Sequence, residues 1–519
     1  MRAGFRVPAP FRAIFMVALV YLLSLILRIG TFTETVGALG VEATYHVLWT
    51  VEALQHGPIS SHVFLPTVTL DPARGVPFAW GATVATPGGS YVYTSFPPLG
   101  FLVPWVVSRL IPEGLDFLRL SLLNSMFGFV AALAMGGLAK NAAWLAASRL
   151  SPTEGWRIFA IVASVYLLLR ETLFDHGAVY WPHSLSQITL ISGTWLTLHM
   201  FSGRAGDRTR ALLALTCFCY PSLEWTGFVF SGGVAIAALL AWKGQLEGVR
   251  LGDALLPLLS SGLAGLVIIV HFSMAIGGDA FLTALLERAE ARGASSRAAL
   301  RIWPAYIVSF GLLAPLAVWA GLALRGRLKQ TQSRGVWLTL LVATFPMIEN
   351  AIMLQHAFQF PFDRLKLAVP MLLVTTLICV TASWRHRRLV VTLGLLSVVG
   401  SNLFLYLRDN RMHRAWPATI VRNEIFATDF SNNFDSPCLL LGASASVRGY
   451  INLLFQSDIV EKTDPESLRK IIASDPDYCG FAFLTLERVY GHLGDLPAIR
   501  RIDTYDRDGK ITGWVDVPR

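Results

Sequence analysis

Long apolar segments recur along the first four fifths of the chain, and short polar stretches separate them. An α-helix needs about 20 mostly apolar residues to cross the hydrocarbon core of a bilayer. The pattern therefore predicts a polytopic α-helical membrane protein with about eleven spans. The predicted spans are residues 11–29, 115–138, 156–173, 184–202, 210–220, 225–242, 251–274, 302–324, 336–349, 367–383 and 389–407.

Residues 97–112, PPLGFLVPWVVSRLIP, decide the topology, because they are apolar but short and interrupted by proline. If this segment crossed the membrane, every later loop would change sides. If it lies flat in the interface, the first outer stretch, 31–96, contains only Arg74 among lysines and arginines. Most basic residues then fall on the opposite side, at the N-terminus and near residues 140–157, 204–210, 243–250, 325–334 and 385–388. The positive-inside rule favours the interfacial interpretation, with a cytoplasmic N-terminus and an outer C-terminus.

The remainder of the chain, 408–519, has the pattern of a soluble α/β domain. Strand signals and one helix signal alternate, and Asp508-Gly509 predicts a hairpin turn. The predicted elements are strands Cys438–Gly442 and Gly480–Leu486, helix Asp464–Ala473, and the hairpin Ile502–Tyr505 with Ile511–Val517. We therefore predict a transmembrane domain, 1–407, whose first outer loop, 31–114, contains two interfacial helices, and a small periplasmic domain, 408–519. Cys438 and Cys479 either form a disulfide there or remain two thiols.

Composition agrees with this division. Hydrophobic residues make up 54% of the chain and charged residues 15%, whereas soluble proteins have about 25% charged residues. The net charge of +9 comes from short basic clusters between apolar segments, so we expect lipid bilayer and no nucleic acid as partner. The first apolar run has no small-residue cleavage site directly after it, which predicts an uncleaved first helix. Ala/Gly/Arg-rich usage and short inner loops favour a bacterial cytoplasmic (inner) membrane.

The first outer loop contains a candidate catalytic helix around Glu42. At helical spacing one face is polar and aromatic and the other apolar, which predicts a helix on the membrane surface with its acid and imidazole toward an aqueous site. The alternative is an ordinary amphipathic helix whose charges only face water. The polar face has Glu42, Tyr45, His46, Trp49 and Glu52, and the apolar face has Ala43, Val47, Leu48, Val51 and Leu54.

Other polar residues concentrate in later outer loops. Acids at span ends are often functional, and outer arginines and lysines can hold an anionic ligand such as a phosphate. Each group also has a simpler interpretation, as paired surface charge, solvated helix charge or a helix cap. These candidates are Asp175 and His183, Arg288 and Arg292, and His356, Arg364 and Lys366.

The chain contains no Walker loop, Rossmann glycine fingerprint, CxxC pair or HExxH motif. No residue spacing specifies a metal, so we predict no cofactor and no metal ligands, although a divalent metal remains compatible with the sequence.

Together these features resemble the GT-C superfamily of membrane glycosyltransferases, in the branch of protein O-mannosyltransferases and aminoarabinose transferases. Val41-Glu42-Ala43-Thr44-Tyr45 is similar to the family's Asp-Glu-x-x-Tyr pattern, with Val41 in place of the first acid. Pro97-Pro98-Leu99 resembles the opening of the family's second interfacial helix, and Arg364-x-Lys366-x-x-x-Pro370 resembles its late segment near the donor phosphate. The resemblance covers about residues 11–407.

The resemblance implies transfer of a sugar from a polyprenyl-phosphate donor to a hydroxyl of a glycan, lipid or protein acceptor at the outer face. It implies that Glu42 is the base and that Asp175 is a second acid or a group that positions the acceptor. Arg364 and Lys366, with Arg288 or Arg292, would hold the departing phosphate, whereas Tyr45, His46, His183 and His356 would contact substrate.

Two other functions remain open from the sequence. A transporter or flippase would place ionisable residues near mid-span or use inverted repeats, and a non-catalytic envelope assembly factor would not need Glu42.

Overall fold

The computed structural model describes residues 8–33, 40–70, 82–147, 150–292, 296–328, 334–381, 387–414, 439–441, 453, 481–483, 500–505 and 511–517. The chain divides into two compact units. Unit 1 comprises residues 1–32, 121–270 and 286–408, and unit 2 comprises 33–120, 271–285 and 409–519. The segment predicted as the first outer loop therefore falls in the same unit as residues 409–519, whereas the domain boundary at 407 remains a prediction.

Helices form most of the described chain up to residue 414. They are α1 (Ala9–Thr33), α2 (Val41–His56), α3 (Ile59–His62), α4 (Leu99–Leu110), α5 (Phe117–Ala146), α6 (Pro152–Leu167), α7 (Arg170–Asp175), α8 (His183–Phe201), α9 (Asp207–Leu223), α10 (Thr226–Lys243), α11 (Leu251–Ile276), α12 (Gly278–Arg292), α13 (Ser296–Phe310), α14 (Leu313–Leu328), α15 (Arg334–Ile352), α16 (Leu354–Gln359), α17 (Pro361–Arg364), α18 (Ala368–Thr381) and α19 (Arg387–Arg414). A 3₁₀ turn, Leu365–Leu367, joins α17 to α18.

Seven described helical segments are long and apolar enough to cross a membrane, and an eighth is possible if the bent pair α13 and α14 forms one span. The prediction of a multi-pass helical membrane protein is therefore confirmed, while the number eleven stays a prediction. Helices α6 and α9 have only 16 and 17 residues, fewer than the ~20 that a straight span needs. The predicted continuous span 302–324 is wrong in form, because α13 and α14 meet at 105°.

Small residues allow the helices of unit 1 to pack closely around α5. A Cβ on Gly136 would lie 2.7 Å from the Phe159 carbonyl oxygen, and a Cβ on Gly137 would lie 2.6 Å from the Trp195 ring. Neighbouring positions of α5 are buried alanines, including Ala131, Ala132 and Ala139. Lipid supplies no hydrophobic force between spans, so close van der Waals packing of small residues stabilises their association.

The outer surfaces of the spans remain apolar. Ile26 on α1 is 68% exposed, Leu259 on α11 71% and Leu396 on α19 64%. Large contiguous apolar surface is unusual on a soluble monomer but is what a helix needs against hydrocarbon. These faces therefore mark the lipid-facing side of unit 1.

Unit 2 contains α2, α3, α4 and a short antiparallel pair, β1 (Thr83–Ala85) and β2 (Tyr91–Tyr93). Helix α4 has 12 residues, about 18 Å at 1.5 Å per residue, which is too short to span a bilayer. The amphipathic interpretation of α2 is wrong for its aromatic face, because Tyr45, His46 and Trp49 are buried. Their rings pack against other aromatic side chains, Tyr45 on Phe117 and His46 on Tyr93 and Phe101.

Four strands of the tail are described: β3 (Leu439–Leu441), β4 (Phe481–Phe483), β5 (Arg500–Tyr505) and β6 (Ile511–Val517). Strand β3 pairs in parallel with β4, and β5 pairs antiparallel with β6, with Ile502 opposite Val515. The predicted pairing of the two last strands is confirmed. The predicted helix Asp464–Ala473, the turn at Asp508-Gly509, and both Cys438 and Cys479 lie outside the described residues.

Candidate functional site

Several helix ends in unit 1 bring charged side chains together around Lys366. Two short helices, α16 and α17, and the 3₁₀ turn precede α18. Their polar residues lie within this short segment. This segment meets the start of α8, the break between α9 and α10, and the end of α15. We call the group of side chains at this meeting point the Lys366 cluster. Its members are His183, Glu224, Glu349, His356, Asp363 and Lys366, all buried.

The Lys366 ammonium group lies among three carboxylates. Its Nζ donates to Glu224 in a short contact, lies 3.1 Å from Asp363 Oδ1 and lies 3.9 Å from Glu349 Oε2. It also donates to Thr226 Oγ1 at 3.1 Å. A charge that is removed from water needs partners of opposite charge to offset the free energy of desolvation. Here three carboxylates lie around one ammonium group.

Asp363 connects the lysine to two histidines. His183 Nε2 lies 3.1 Å from Asp363 Oδ1, and His356 Nδ1 contacts Asp363 Oδ2. The two imidazoles are nearly parallel, with ring centroids 6.0 Å apart. Ligating atoms of these three residues all lie within 4.8 Å of one another, so they could hold a metal ion.

The two glutamates of the cluster have polar support from their neighbours. Thr226 Oγ1 donates to Glu224 Oε1 at 2.8 Å, and the Tyr220 hydroxyl donates to Glu349. The other carboxylate oxygen of each, Glu224 Oε2 and Glu349 Oε1, is buried without a hydrogen-bond partner among the described residues.

Arg364 is adjacent to Lys366 in sequence but has different partners. Its Nε donates to Ser309 Oγ at 2.6 Å and lies 3.4 Å from Glu171 Oε1, and its Nη1 donates to the Ala357 carbonyl oxygen at 2.8 Å. Glu171 also accepts from Arg170 Nη1 at 2.8 Å. Within the described part of the chain, no hydrogen bond engages Arg364 Nη2, so this guanidinium retains donors for an anion.

Asp175 ends α7 at a turn that other side chains fix. Asn124 Nδ2 lies 2.9–3.0 Å from the carbonyl oxygens of Asp175, Gly177 and Val179, so its two N–H groups are shared among three acceptors. The carboxylate is buried, and its Oδ2 has no hydrogen-bond partner among the described residues. Burial, together with the negative charge of Glu171, raises the pKa of Asp175 well above its ordinary value, against the opposing effect of Arg364 and Arg170.

In unit 2, Glu42 lies in the first turn of α2 and is partly buried. Burial raises the pKa of its carboxyl, and a hydrogen bond involving its own backbone offsets part of that effect. Burial also lowers the pKa of His46 to about 3, so this imidazole is neutral at physiological pH.

The structure brings together three of the candidate residues, His183, His356 and Lys366, and places Arg364 next to them. Arg288 lies on α12, and the side chain of Arg292 lies outside the described residues. Sequence reasoning left Glu224 and Glu349 out of the candidate site. A signal existed for both, since Glu224 interrupts two apolar segments and Glu349 ends one, where an acid is costly.

Comparisons with solved structures show the fold. Over 96% of this chain and 97% of the other, it is similar to ArnT from Cupriavidus metallidurans bound to undecaprenyl phosphate, with 13% identity and a TM-score of 0.59. It is also similar to the archaeal oligosaccharyltransferase AglB from Archaeoglobus fulgidus in complex with an inhibitory peptide and a dolichol-phosphate, over 91% of this chain and 69% of that one, with 12% identity and a TM-score of 0.53.

No protein-family model and no curated protein matches the sequence. ArnT and AglB are both GT-C superfamily membrane glycosyltransferases. The protein therefore has the GT-C fold.

Proposed function

We propose that the protein is a membrane glycosyltransferase that moves a sugar from a polyprenyl-phosphate-linked donor to an acceptor hydroxyl on the outer face of the cytoplasmic membrane. The observation that carries this proposal is the likeness to ArnT along nearly the whole of both chains, since that protein was captured with undecaprenyl phosphate. Glycan, lipid and protein hydroxyls all remain acceptors of the right chemistry.

In the proposed reaction a carboxylate takes the proton of the acceptor hydroxyl as its oxygen attacks the anomeric carbon, and the polyprenyl phosphate leaves. We assign the base to Glu42. Its raised pKa has a consequence for rate, because only the ionised carboxylate accepts a proton. Transfer should therefore fall as the pH drops through that raised pKa. Asp175 is the second acidic group of the proposal, and its buried, partly unpartnered carboxylate is suited to hold an acceptor hydroxyl.

The leaving phosphate needs cationic donors that are still available. Arg364 retains Nη2, whereas Lys366 Nζ already faces three carboxylates. We therefore give Arg364 the direct contact with phosphate. Lys366 would not contact the phosphate directly. Its ammonium group would offset the negative charge of the three carboxylates, which would otherwise repel the phosphate nearby.

The test is sugar transfer by membranes that contain the full chain, with lipid extracted from a strain lacking the gene as donor. The deletion strain should accumulate a polyprenyl-phosphate sugar and lack one sugar in an envelope glycan, both measured by mass spectrometry. Wild-type membranes should consume the accumulated donor. Glu42→Gln should slow that transfer by about 10²–10⁴-fold, the usual contribution of a general base.

Glu52→Gln is the matched control, because Glu52 lies on the same helix and its ion pair with His56 is at the surface. This variant should transfer sugar at the wild-type rate. Full transfer by Glu42→Gln, at normal protein levels, would remove Glu42 from the reaction. Lipid translocation in proteoliposomes without any sugar transfer would refute the glycosyltransferase and favour a flippase.

A further inference from the structure

Two histidines and one aspartate from three separate segments of unit 1 converge on one point. His183 opens α8, His356 lies on α16 and Asp363 lies on α17. One ligating atom of each lies within 4.8 Å of the others, and all three side chains are buried. We propose that they form a binding site for one divalent transition-metal ion of the Zn²⁺ class.

The donor set has the chemistry of such a site. Imidazole nitrogen and carboxylate oxygen bind Zn²⁺ at about 2.0–2.2 Å, and three protein ligands with one open position are common. Ligand atoms around a tetrahedral ion of that size are roughly 3.4 Å apart. His183 Nε2 and Asp363 Oδ1 are 3.1 Å apart, and His356 Nδ1 already contacts the same carboxylate. The three potential ligand atoms are therefore close enough to bind one ion.

Charge supplies an independent argument. Three carboxyl groups, those of Glu224, Glu349 and Asp363, lie around the single ammonium group of Lys366. Glu224 Oε2 and Glu349 Oε1 are buried with no hydrogen-bond partner among the described residues. Buried carboxylates need cations or hydrogen-bond donors, and a divalent ion would supply the missing positive charge. Glu224 is the nearest further carboxylate, since its Oε1 lies 3.6 Å from His183 Nε2.

Neighbouring side chains hold the three residues in orientation. Phe362 packs against His183 with ring centroids 4.4 Å apart, and Phe360 packs against His356 at 4.6 Å. Asn350 Nδ2 donates to the backbone oxygen of Asp363 at 2.9 Å. Groups that fix the orientation of metal ligands raise affinity, and two ordered imidazoles lose little freedom when they bind an ion.

His183 is far from His356 and Asp363 in the sequence, which explains why the sequence alone does not indicate this site. His183 precedes Asp363 by 180 residues, so no short metal-binding motif exists. The inference does not depend on the proposed function, because a metal at this place would fix the start of α8 to α16 and α17 whatever reaction the protein performs.

The test uses the purified full-length chain in detergent, stripped with a chelator and titrated with Co²⁺ alone. Wild type should retain one equivalent of Co²⁺ after desalting, with visible d–d absorption typical of nitrogen and oxygen ligands. His356→Gln and His183→Gln should each weaken binding at least about tenfold, since each removes one ligand. His199→Gln, on the same helix as His183 but outside the cluster, should bind as wild type does.

A second measurement needs no variant. X-ray absorption of wild type loaded with one equivalent of Zn²⁺ should show scattering from two imidazole rings. The proposal is overturned if wild type retains no stoichiometric Co²⁺, if both glutamine variants bind as tightly as wild type, or if imidazole scattering is missing from the zinc spectrum.

Discussion

Lys366 is the cation that the carboxylates of the Lys366 cluster share. It is 2% exposed and lies near three carboxylates that are themselves buried. Removing one partner from a buried ion pair costs about 3–5 kcal/mol, mainly because the remaining charge is left without compensation. Several acids share this single lysine, so its loss affects all of them.

Lys366→Met should therefore lower the free energy of unfolding by about 3–5 kcal/mol. Denaturant unfolding of the purified protein in detergent, followed by helical circular dichroism, measures this change. Lys243→Met is the control, because Lys243 is exposed at the end of α10 and should change stability by less than about 0.5 kcal/mol. Equal stabilities for the two variants would mean that the cluster is not an ion-paired unit in membrane-like surroundings.

At the residue scale, sequence identified polar residues that stand out from their surroundings. His183, His356 and Lys366 were candidates because they lie in predicted outer loops at the ends of apolar spans, where polar residues are often functional. Their mutual contacts were not predictable, because each contact joins segments that are far apart in sequence. His183 at the start of α8 contacts Asp363 on α17, and Lys366 in the 3₁₀ turn contacts Glu224 at the break between α9 and α10. The burial of His46 was missed because the pattern of α2 does not reveal which rings pack against it.

Among the elements, helix α5 not only packs against other helices but also contacts the turn that follows α7. Through Asn124 it contacts the carbonyl oxygens of three alternate residues, Asp175, Gly177 and Val179, at the end of α7 and in the turn that follows, and Ser125 Oγ donates to the His176 carbonyl oxygen at 3.1 Å. A Cβ on Gly128 would lie 2.6 Å from the His176 Cβ. The position of Asp175 is therefore set by a neighbouring helix rather than by the short helix that contains it.

Asn124→Leu keeps the approximate size of the side chain but removes its N–H donors. Three buried carbonyl oxygens lose a partner, so the variant should lose at least about 2 kcal/mol of stability and part of its transfer activity. Thermal unfolding in detergent and the transfer assay measure the two effects.

Asn141→Leu provides the comparison on the same helix, because the Asn141 Nδ2 is buried without a hydrogen-bond partner among the described residues. It should be close to neutral. If Asn124→Leu and Asn141→Leu behaved alike, the turn after α7 would not depend on α5.

Helix positions were predictable where apolar segments were long and uninterrupted. The predicted span 251–274 corresponds to α11, Leu251–Ile276, and the interfacial segment 97–112 to α4, Leu99–Leu110. The bend between α13 and α14 was not predicted, because hydropathy reports the apolar character of 302–324 but not its direction. Gly311, with φ of 52°, lies in that bend and adopts a conformation that other residues disfavour.

For the whole molecule, the charge pattern predicts which side of the membrane each loop occupies. Alkaline phosphatase fused after Arg519 should be active, because that enzyme needs an oxidising compartment to form its disulfides. The same reporter fused after Arg204, in a basic loop, should be inactive. Enzyme activity normalised to fusion protein level measures both. Activity after Arg204, or its loss after Arg519, would reverse the proposed topology.

The fold class could be predicted because it depends on hydrophobicity, loop charge and the order of short motifs, which are all properties of the sequence. The GT-C fold was confirmed at 13% identity or less to the similar structures. The apolar pattern of the spans was therefore enough to indicate the fold, whereas particular polar pairs, such as Glu224 with Lys366, needed coordinates because their residues are 142 positions apart.

The Lys366 cluster also has a consequence for how the protein is made. Lys366 is separated from Glu224 by 142 residues. A ribosome adds about 5–20 residues per second, so Glu224 leaves it roughly 7–30 s before the lysine that balances its charge. During that interval, burial of the Glu224 carboxylate at the junction of α9 and α10 would cost free energy, because Lys366 has not yet been synthesised. Folding of the α9–α10 junction is thus coupled to synthesis of a much later segment, and a nascent chain truncated before α17 would lack the cation that pairs with Glu224.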